Sequence, residues 1–406
     1  MSSTMEEVNE DGQVFVVSEF VEANLNSTGY YWSQIIEELG KTFGKVLVIC
    51  PNNNLTEKSE SSSKVKYTTF YSRPYNKCKL SSRIWGQLRQ SANFSLKILK
   101  EVSRKDVVCT GTNPALLLIF MLFVKKIKGF KWVVLVYDVF PENLIPAKIL
   151  SLKSLRYKLL SLLFNWVYSS ADKLIVIGRD MEEIMQKKID RKDKIVFMPN
   201  WCAPDDVTPI SREESPYLKQ FGWQENVVFL FFGNIGRLQG ISNLLRAIKL
   251  VTHPKAAFLF LGGGQKVDEI NSFINNNADL PVKYAGKVSF ENRNMALSSC
   301  DVAIVSLSSG MAGLGVPSKA YFSLAADKPF LLVSDKNAEL ARVVSEEDIG
   351  WFCEPSNPKK LALLIDELCD LDFSAMHGLQ RSLLLKKYSG SLSLKIFSNC
   401  VSELML

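Results

Sequence analysis

The stretch that most constrains the fold is Val227–Gly240, which has the sequence VVFLFFGNIGRLQG. Its unbroken apolar run is typical of a strand buried on both faces, as in a parallel sheet. Two glycines follow, and a helical pattern begins at Ile241. Glycine lets the backbone turn sharply and approach a ligand closely. The stretch therefore predicts a strand, a tight glycine turn and a covering helix.

The same alternation of strand, short loop and helix recurs along the whole chain and predicts an α/β protein with doubly wound parallel sheets. We divide the chain into a Rossmann-like domain over 1–200, a second over 201–385, and a helix over 386–406 that folds back on the first domain. A polar segment after Pro199 is interpreted as the linker. The predicted strands are Val14–Val17, Lys45–Cys50, Val65–Tyr71, Val107–Cys109, Trp132–Val136, Lys173–Ile177, Ile195–Met198, Val227–Phe232, Ala256–Leu261, Val282–Ala285, Asp301–Val305 and Phe330–Val333.

The net charge of +7 comes from the first half of the chain, where lysine and arginine outnumber the acids. This excess indicates either an anionic partner or ordinary solvated lysines, with about equal weight. A predicted basic helix over Lys148–Val167, near the lysines of 125–131, could lie on an anionic membrane surface. Packing on the sheet is the more usual role of such a helix. Aromatic residues that could stack on bases are not interleaved with the basic residues, so a nucleic-acid partner is not expected.

The cysteines and histidines limit which kinds of metal or catalytic site the chain can form. The eight cysteines form no C-x-x-C pair, which favours free thiols in a reducing, cytoplasmic compartment over disulfides or zinc. The chain has only two histidines, so a histidine-based triad or metal cluster is not expected. The N-terminus lacks the basic and apolar pattern of a signal peptide. The apolar run Pro114–Val124 is too short to span a bilayer.

Two glycine loops in the second half are candidate anion sites. The turn after Phe232 contains Arg237 close to a predicted helix start. A later loop with Gly310, Gly313 and Gly315 leads to Pro317, predicted in the first turn of a helix, and to Lys319. Helix N-termini attract anions, and a nearby cation adds to that attraction. Two such loops at strand ends in one domain are stronger evidence than either alone.

Two places in the first half are candidates for the facing side of a cleft. Asn26, Thr28 and Gly29 precede a predicted helix, where they either cradle an anion or simply cap the helix, the commoner case. Asp138 and Glu142 follow the buried strand Trp132–Val136. Ligands of open parallel sheets bind beyond the carboxyl ends of the strands. Chemistry is slightly favoured for Asp138 over capping of the next turn.

These motifs, in their order, resemble glycosyltransferase family 4 of the GT-B fold, in which two Rossmann-like domains face each other across a cleft. The resemblance covers nearly the whole chain and is closest to bacterial enzymes that build O-antigen, capsule and exopolysaccharide. It rests on NSTGYYWSQ, VYDVFPE, ADKLIVIGRDM and DKIVFMPNW in the first half, and on GNIGRLQG, GGG, YAG, DVAIVSL, GLGVPSKAYFSLAADKP and GWFCEPSNP in the second.

The resemblance implies retaining transfer of a sugar from a nucleotide-diphosphate donor to a lipid-linked or saccharide acceptor, at the cytoplasmic face of the membrane. No metal or other cofactor is implied, since fixed cations can stabilise the diphosphate leaving group. Together with the candidates above, the resemblance gives the predicted site residues: Asp138, Arg237 and Lys319 for catalysis; Gly29, Gly233, Asn234, Gly236, Gly315, Ser318 and Ser323 for the donor; and Asn26, Thr28 and Glu142 for the acceptor side of the cleft.

Two positions depart from the family pattern. Gln239 stands where a lysine is common, and Ser323 is placed where a glutamate usually holds the ribose or sugar hydroxyls. These departures leave open a degenerate partner subunit that binds a nucleotide sugar without turnover. A nucleotide-sugar epimerase is a further alternative. It is less favoured because no histidine lies near the predicted cleft.

Overall fold

The computed structural model describes residues 12–55, 64–75 and 80–406, and shows two parallel sheets covered by helices. In the first domain seven strands lie in the order β3-β2-β1-β4-β5-β6-β7. All their pairings are parallel, as continuous apolar strands require. The strands are β1 Val14–Val17, β2 Val46–Pro51, β3 Val65–Phe70, β4 Val107–Gly111, β5 Lys131–Val136, β6 Lys173–Val176 and β7 Ile195–Phe197.

Helices cover both faces of this sheet. Four of them contact one another in sequence along one face, α2 with α3, α3 with α4 and α4 with α5, while α1 packs separately against β1, β2 and β3. Their apolar sides close the core of the first domain. The helices are α1 Ser27–Phe43, α2 Leu80–Glu101, α3 Ala115–Lys128, α4 Leu155–Ser170 and α5 Arg179–Lys188.

The second domain contains a six-stranded parallel sheet in the order β10-β9-β8-β11-β12-β13. The long predicted strand lies near its centre as β8, with four aromatic or aliphatic residues in a row fully buried. The strands are β8 Val227–Asn234, β9 Ala256–Gly263, β10 Val282–Tyr284, β11 Val302–Ser306, β12 Phe330–Val333 and β13 Gly350–Cys353. The helices are α6 Pro216–Phe221, α7 Ile241–Ile248, α8 Val267–Asn276, α9 Arg293–Ser298, α10 Lys319–Ala325, α11 Glu339–Glu347, α12 Pro358–Leu368, α13 Leu379–Lys387 and α14 Ser391–Met405.

The last helix, α14, returns to the first domain and packs on α1, β4 and β5. The rings of Trp32 and Phe397 lie 6.0 Å apart, and the Ser393 hydroxyl donates to the Pro199 carbonyl at 2.8 Å. The segment between the domains is also packed, because Trp201 is fully buried. The two domains are therefore joined by a structured connection as well as by the returning helix.

The predicted fold class is confirmed, with one strand missed, β13 Gly350–Cys353, and two boundary corrections. The basic helix was predicted from Lys148, but α4 begins at Leu155 because Lys148 has a φ of 58° and Ser154 caps the helix. The helix after the glycine loop starts at Lys319, so Pro317 precedes it. Within the described ranges, no helix is long and apolar enough to cross a membrane, and the seven described cysteines are free and buried. Cys78 lies outside the described residues.

Candidate functional site

The two domains meet where the glycine loop before α10 touches the loop after β5. The Val139 amide donates to the Leu314 carbonyl at 3.1 Å across this contact. A Cβ at Gly315 would lie 3.2 Å from the Tyr137 carbonyl oxygen and 3.5 Å from a carboxylate oxygen of Asp138. A side chain at position 315 would therefore crowd this contact. Two predicted site regions, more than 170 residues apart, are brought together.

Lys319 is the most unusual cation of this region. Its Nζ is buried and has no hydrogen-bond partner among the described residues. It lies 3.6 Å from the centroid of the Phe231 ring, two residues before the turn at Gly233. Burial lowers the pKa of the Lys319 ammonium to about 7. An unpaired buried charge is costly, so an arriving anion would satisfy a group that the protein itself leaves unsatisfied.

Arg237, by contrast, is exposed, and none of the described acidic groups forms an ion pair with it. Its backbone is fixed, because the Ser308 hydroxyl donates to the Arg237 carbonyl at 3.3 Å and the Ser308 amide donates to the Leu238 carbonyl at 2.8 Å. The turn after β8 is therefore anchored to the end of β11, while the guanidinium is free to reach a ligand. Gln239 has a buried side-chain oxygen with no partner in the described part of the chain.

The predicted donor residues Gly233, Asn234 and Gly236 form the turn itself. Gly233 has a φ of 115°, which disfavours other residues, and a Cβ there would meet nothing within 4 Å. Asn234 ends β8 and is exposed, and a Cβ at Gly236 would approach its side chain to 2.9 Å. Sequence analysis did not single out Gly262, where a Cβ would overlap the Gly233 carbonyl at 1.8 Å. The GGG motif thus supports this turn from β9.

The two serines near α10 differ in setting. Ser318 is half-buried and precedes the helix without a side-chain capping bond. Ser323 is buried, and its hydroxyl donates to the Lys319 carbonyl at 2.9 Å. The contact of Ser323 with the ribose stays a prediction. Phe322 of α10 contacts the first domain, with its ring centroid 5.1 Å from that of Tyr30.

Asp138 lies on the first-domain side of the contact. Its backbone amide donates to the Thr112 hydroxyl at 3.1 Å. Burial raises the pKa of the Asp138 carboxyl to about 6, while a hydrogen bond from Asn143 and the charge of Arg83 act in the opposite direction. A carboxylate with such a pKa can accept a proton near neutral pH. The position and the pKa both suit a reacting group.

Glu142 does not share this setting. Its carboxylate pairs with Lys188 Nζ at 2.6 Å and accepts from the Tyr157 hydroxyl at 3.3 Å. Both partners belong to helices of the first domain, α5 and α4. The pair fixes the loop after β5 against these helices. The contact of Glu142 with an acceptor stays a prediction.

The loop before α1 matches the capping interpretation. The exposed Asn26 accepts the Gly29 amide at 2.9 Å and caps the helix. A Cβ at Gly29 would lie 2.1 Å from the Glu22 carbonyl oxygen, so this glycine is needed for packing against its own loop. Thr28 is half-buried beside them. The donor and acceptor roles of these three residues stay predictions.

A second inter-domain contact was missed by sequence analysis. The buried Asp180 carboxylate accepts the amides of Gly313 at 2.7 Å and Glu339 at 2.9 Å. Arg179 pairs with Glu339 at 3.0 Å and with Glu346 at 2.8 Å. The glycine loop that leads to Lys319 is thus held by α5 of the first domain. An acid in the first turn of a helix is ordinary in a sequence, so no local signal indicated these distant partners.

Comparison with known proteins shows the same architecture elsewhere. A family model described as "Glycosyl transferases group 1" matches residues 226–370. The probable glycosyltransferase WbjE of Pseudomonas aeruginosa is 47% identical over 97% of this chain and 98% of its own. Among solved structures, sucrose-phosphate synthase of Thermosynechococcus elongatus superposes with a TM-score of 0.75 at 15% identity, covering 97% of this chain and 99% of that one. HepE of Anabaena in complex with UDP and glucose gives 0.70 at 12%, covering 97% and 98%.

Proposed function

Because this chain belongs to the group 1 glycosyltransferases, we propose that its inter-domain cleft transfers a sugar from a nucleotide-diphosphate donor with retention of configuration. The observation that carries the proposal is Lys319, a buried ammonium without a partner among the described residues, close to the Gly233 turn. A diphosphate is an anion that could accept hydrogen bonds from this ammonium and neutralise its charge. The complex of HepE with UDP and glucose is consistent with a donor of this class.

In this proposal, Lys319 and Arg237 hold the diphosphate from two sides. Negative charge grows on the leaving phosphate oxygens as the glycosidic bond to the donor breaks. Cations fixed beforehand stabilise that charge more in the transition state than in the ground state. The glycine turns let the backbone come close to the same oxygens. With Lys319 and Arg237 both at the diphosphate, this mechanism requires no metal.

Asp138 is proposed to act at the reacting sugar or acceptor. Its carboxylate lies at the contact between the domains, with a pKa raised by burial to about 6. It is therefore mostly ionised at pH 7 and able to accept a proton from the attacking hydroxyl. Contact between the domains at Gly315 would limit competing hydrolysis by water.

The acceptor is proposed to be a lipid-linked or saccharide intermediate of surface-polysaccharide synthesis, met at the cytoplasmic face of the membrane. The basic first domain supports a membrane-bound acceptor, and the relationship to the probable glycosyltransferase WbjE supports the transferase activity itself. An anionic bilayer would concentrate a basic protein at its surface. The proposal thus places the donor site in the second domain and the acceptor side in the first.

The proposal is tested by a screen of nucleotide sugars for thermal stabilisation, followed by product analysis with the ligands that bind. A ligand at about 100 times its dissociation constant adds roughly 2.7 kcal/mol to the free energy of unfolding. We expect one or a few donors to stabilise the wild type and not Lys319→Met. Lys249→Met is the matched control, since Lys249 is an exposed lysine of the same domain. Binding without sugar transfer to any acceptor would favour the partner-subunit alternative.

A further inference from the structure

One outer face of the first domain is apolar and exposed. On α4, Leu155 is 70% exposed, Leu159 59%, Leu162 58% and Trp166 67%. On the neighbouring helix α3, Phe123 is 60% and Ile127 71% exposed. We call these six residues the apolar face. Large hydrophobic residues in a contiguous exposed patch usually mark an interaction surface.

The periodicity of α4 shows that this face is a single stripe. Each residue turns the helix by about 100°, so the spacing of 4, 3 and 4 between Leu155, Leu159, Leu162 and Trp166 keeps all four on one side. The buried residues Phe164, Val167 and Tyr168 lie on the opposite side, against the domain core. Helix α4 therefore has two apolar sides, one packed on the core and one facing outward. Packing on the sheet explains only the inner side.

Basic residues flank the stripe. Arg156 and Lys158 are exposed on either side of it by the same helical geometry, and Lys126 lies beside Ile127 on α3. Residues 115–170 contain eight lysines or arginines and only two acids, Asp138 and Glu142, both of which belong to the loop after β5. Both α3 and α4 lack acidic residues altogether. An apolar stripe edged by cations fits an anionic lipid surface, with acyl chains under the stripe and headgroups beside it.

The structure also shows which lysines are available to contact an anionic surface. Lys125 Nζ donates to the Ser170 carbonyl at 2.6 Å and pairs with Asp172, so it points into the domain. Lys128 Nζ donates to the Leu99 carbonyl at 3.0 Å. Of the lysines at 125–131, only Lys126 and Lys131 are exposed. The cations of α4 are therefore as important as those of the KKIKGFK segment.

A second apolar feature lies just before the start of α4. Between the loop after β5 and α4, a groove of about 650 Å³ is lined by the aliphatic residues Ile145, Ile149, Leu150 and Leu152, with Lys148 and Lys153 beside them. Pro146 in this segment lies within 4.0 Å of where a Cβ at Gly310 would stand, so the segment borders the glycine loop of the second domain. This groove therefore lies between the start of α4 and the glycine loop of the second domain.

We propose that the apolar face inserts into a bilayer rich in anionic phospholipid, with α4 lying in the plane of the interface. A second copy of the chain is the weaker candidate, because a two-fold contact would set the same basic residues against each other. The inference deepens the proposed function by naming the surface that brings the enzyme to a lipid-linked acceptor. It does not depend on the donor site in the second domain.

The test is co-sedimentation of the full chain with vesicles of phosphatidylethanolamine and phosphatidylglycerol, and with vesicles of phosphatidylcholine alone. We expect the wild type to bind the anionic vesicles and to leave them as salt is raised. The double variant Leu159→Gln/Leu162→Gln should lower the partition coefficient about tenfold or more. Leu250→Gln/Leu363→Gln removes two exposed leucines of the second domain and should leave it unchanged.

Three outcomes would overturn the proposal. The first is equal partitioning of the two double variants, and the second is failure of the wild type to bind anionic vesicles. The third is a concentration-dependent dimer in analytical ultracentrifugation that Leu159→Gln/Leu162→Gln abolishes, which would assign the face to a second copy. UDP binding, measured on the same variants by calorimetry, should be equal throughout. If the wild type does not bind UDP, this result would count against the proposed donor site and not against the membrane face.

Discussion

The two cations proposed to hold the diphosphate, Arg237 and Lys319, are placed very differently. Arg237 is exposed on a turn whose backbone is anchored to β11. Lys319 has its ammonium buried on the Phe231 ring, without a hydrogen-bond partner in the described chain. The first cation is solvated before any ligand arrives, whereas the second has already lost its water.

This difference predicts unequal contributions. A charge in a water-excluded setting interacts more strongly with an anion than one in high dielectric. Lys319 also carries a desolvation cost that ligand binding can offset, and its lowered pKa reflects that cost. We therefore expect Lys319 to be the principal diphosphate group and Arg237 the auxiliary one, although the sequence draws attention to Arg237 first.

The largest effect is expected from Lys319→Met, which keeps the length and apolar packing of the side chain but removes its charge. Sugar transfer should fall by about 10² to 10³, the usual cost of losing one oxyanion-stabilising group. Since burial lowers the pKa of Lys319, the protonated lysine destabilises the folded state, and the variant should be at least as stable as the wild type at pH 6. Steady-state kinetics and urea unfolding measure the two effects. Unfolding of the variant at pH 6 would contradict the assignment of Lys319 as an unsatisfied charge.

Arg237→Ala should have a smaller effect, a loss of about ten- to a hundredfold in kcat/KM, because an exposed guanidinium retains much of its hydration. The matched control is Arg246→Ala, an exposed arginine on α7 of the same domain. A loss for Arg237→Ala that exceeds the loss for Lys319→Met would reverse the proposed ranking. Full activity of Arg237→Ala would remove this residue from the site.

The pH dependence of nucleotide binding separates the two cations further. The pKa of Lys319 is lowered by burial to about 7, so above pH 7 the free protein progressively loses this positive charge. Affinity for UDP should therefore weaken about twentyfold between pH 7.5 and 9. Arg237→Ala should keep this slope, since Lys319 is retained in that variant. A slope that persists in Lys319→Met would trace the titration to another group.

The smallest effect is expected at Asp180, which holds the glycine loop through the amides of Gly313 and Glu339. Asp180→Asn keeps the size of the side chain but weakens these charge-assisted bonds. We expect a rise of a few-fold in the KM for the donor with little change in kcat, because the loop is positioned less often for binding. Asp190→Asn, at the exposed position after α5, is the control. An unchanged KM would show that Asp180 stabilises the fold without positioning the loop for donor binding.

The fold followed from the sequence because its signals are local. Val227–Phe232 is apolar on both faces, and a glycine turn follows it, so strand, turn and helix could be predicted together. The start of α4 was predicted too early, since the positive φ of Lys148 depends on tertiary packing that composition does not reveal. Local signals predict elements better than they predict where elements begin.

The site was predicted less completely, for a physical reason. The close approach of Gly315 to Asp138 and the burial of Lys319 depend on how two domains meet. Glu142 looked like Asp138 in the sequence, but its pairing with Lys188 involves a helix 46 residues away. Ser323 was placed on the donor side, yet it turns inward to bond the Lys319 carbonyl. Side-chain direction and long-range partners were the missing information.

The central claim, that Lys319 receives the diphosphate as a charged group, is tested most directly by the proton uptake that accompanies UDP binding. Calorimetric titration at pH 8 in two buffers of different ionisation enthalpy measures this uptake. A lysine with a pKa of about 7 is mostly neutral in the free protein at that pH, and a bound diphosphate should restore its proton. The account predicts uptake approaching one proton in the wild type and none in Lys319→Met. UDP binding without proton uptake, or with equal uptake in the variant, would contradict it.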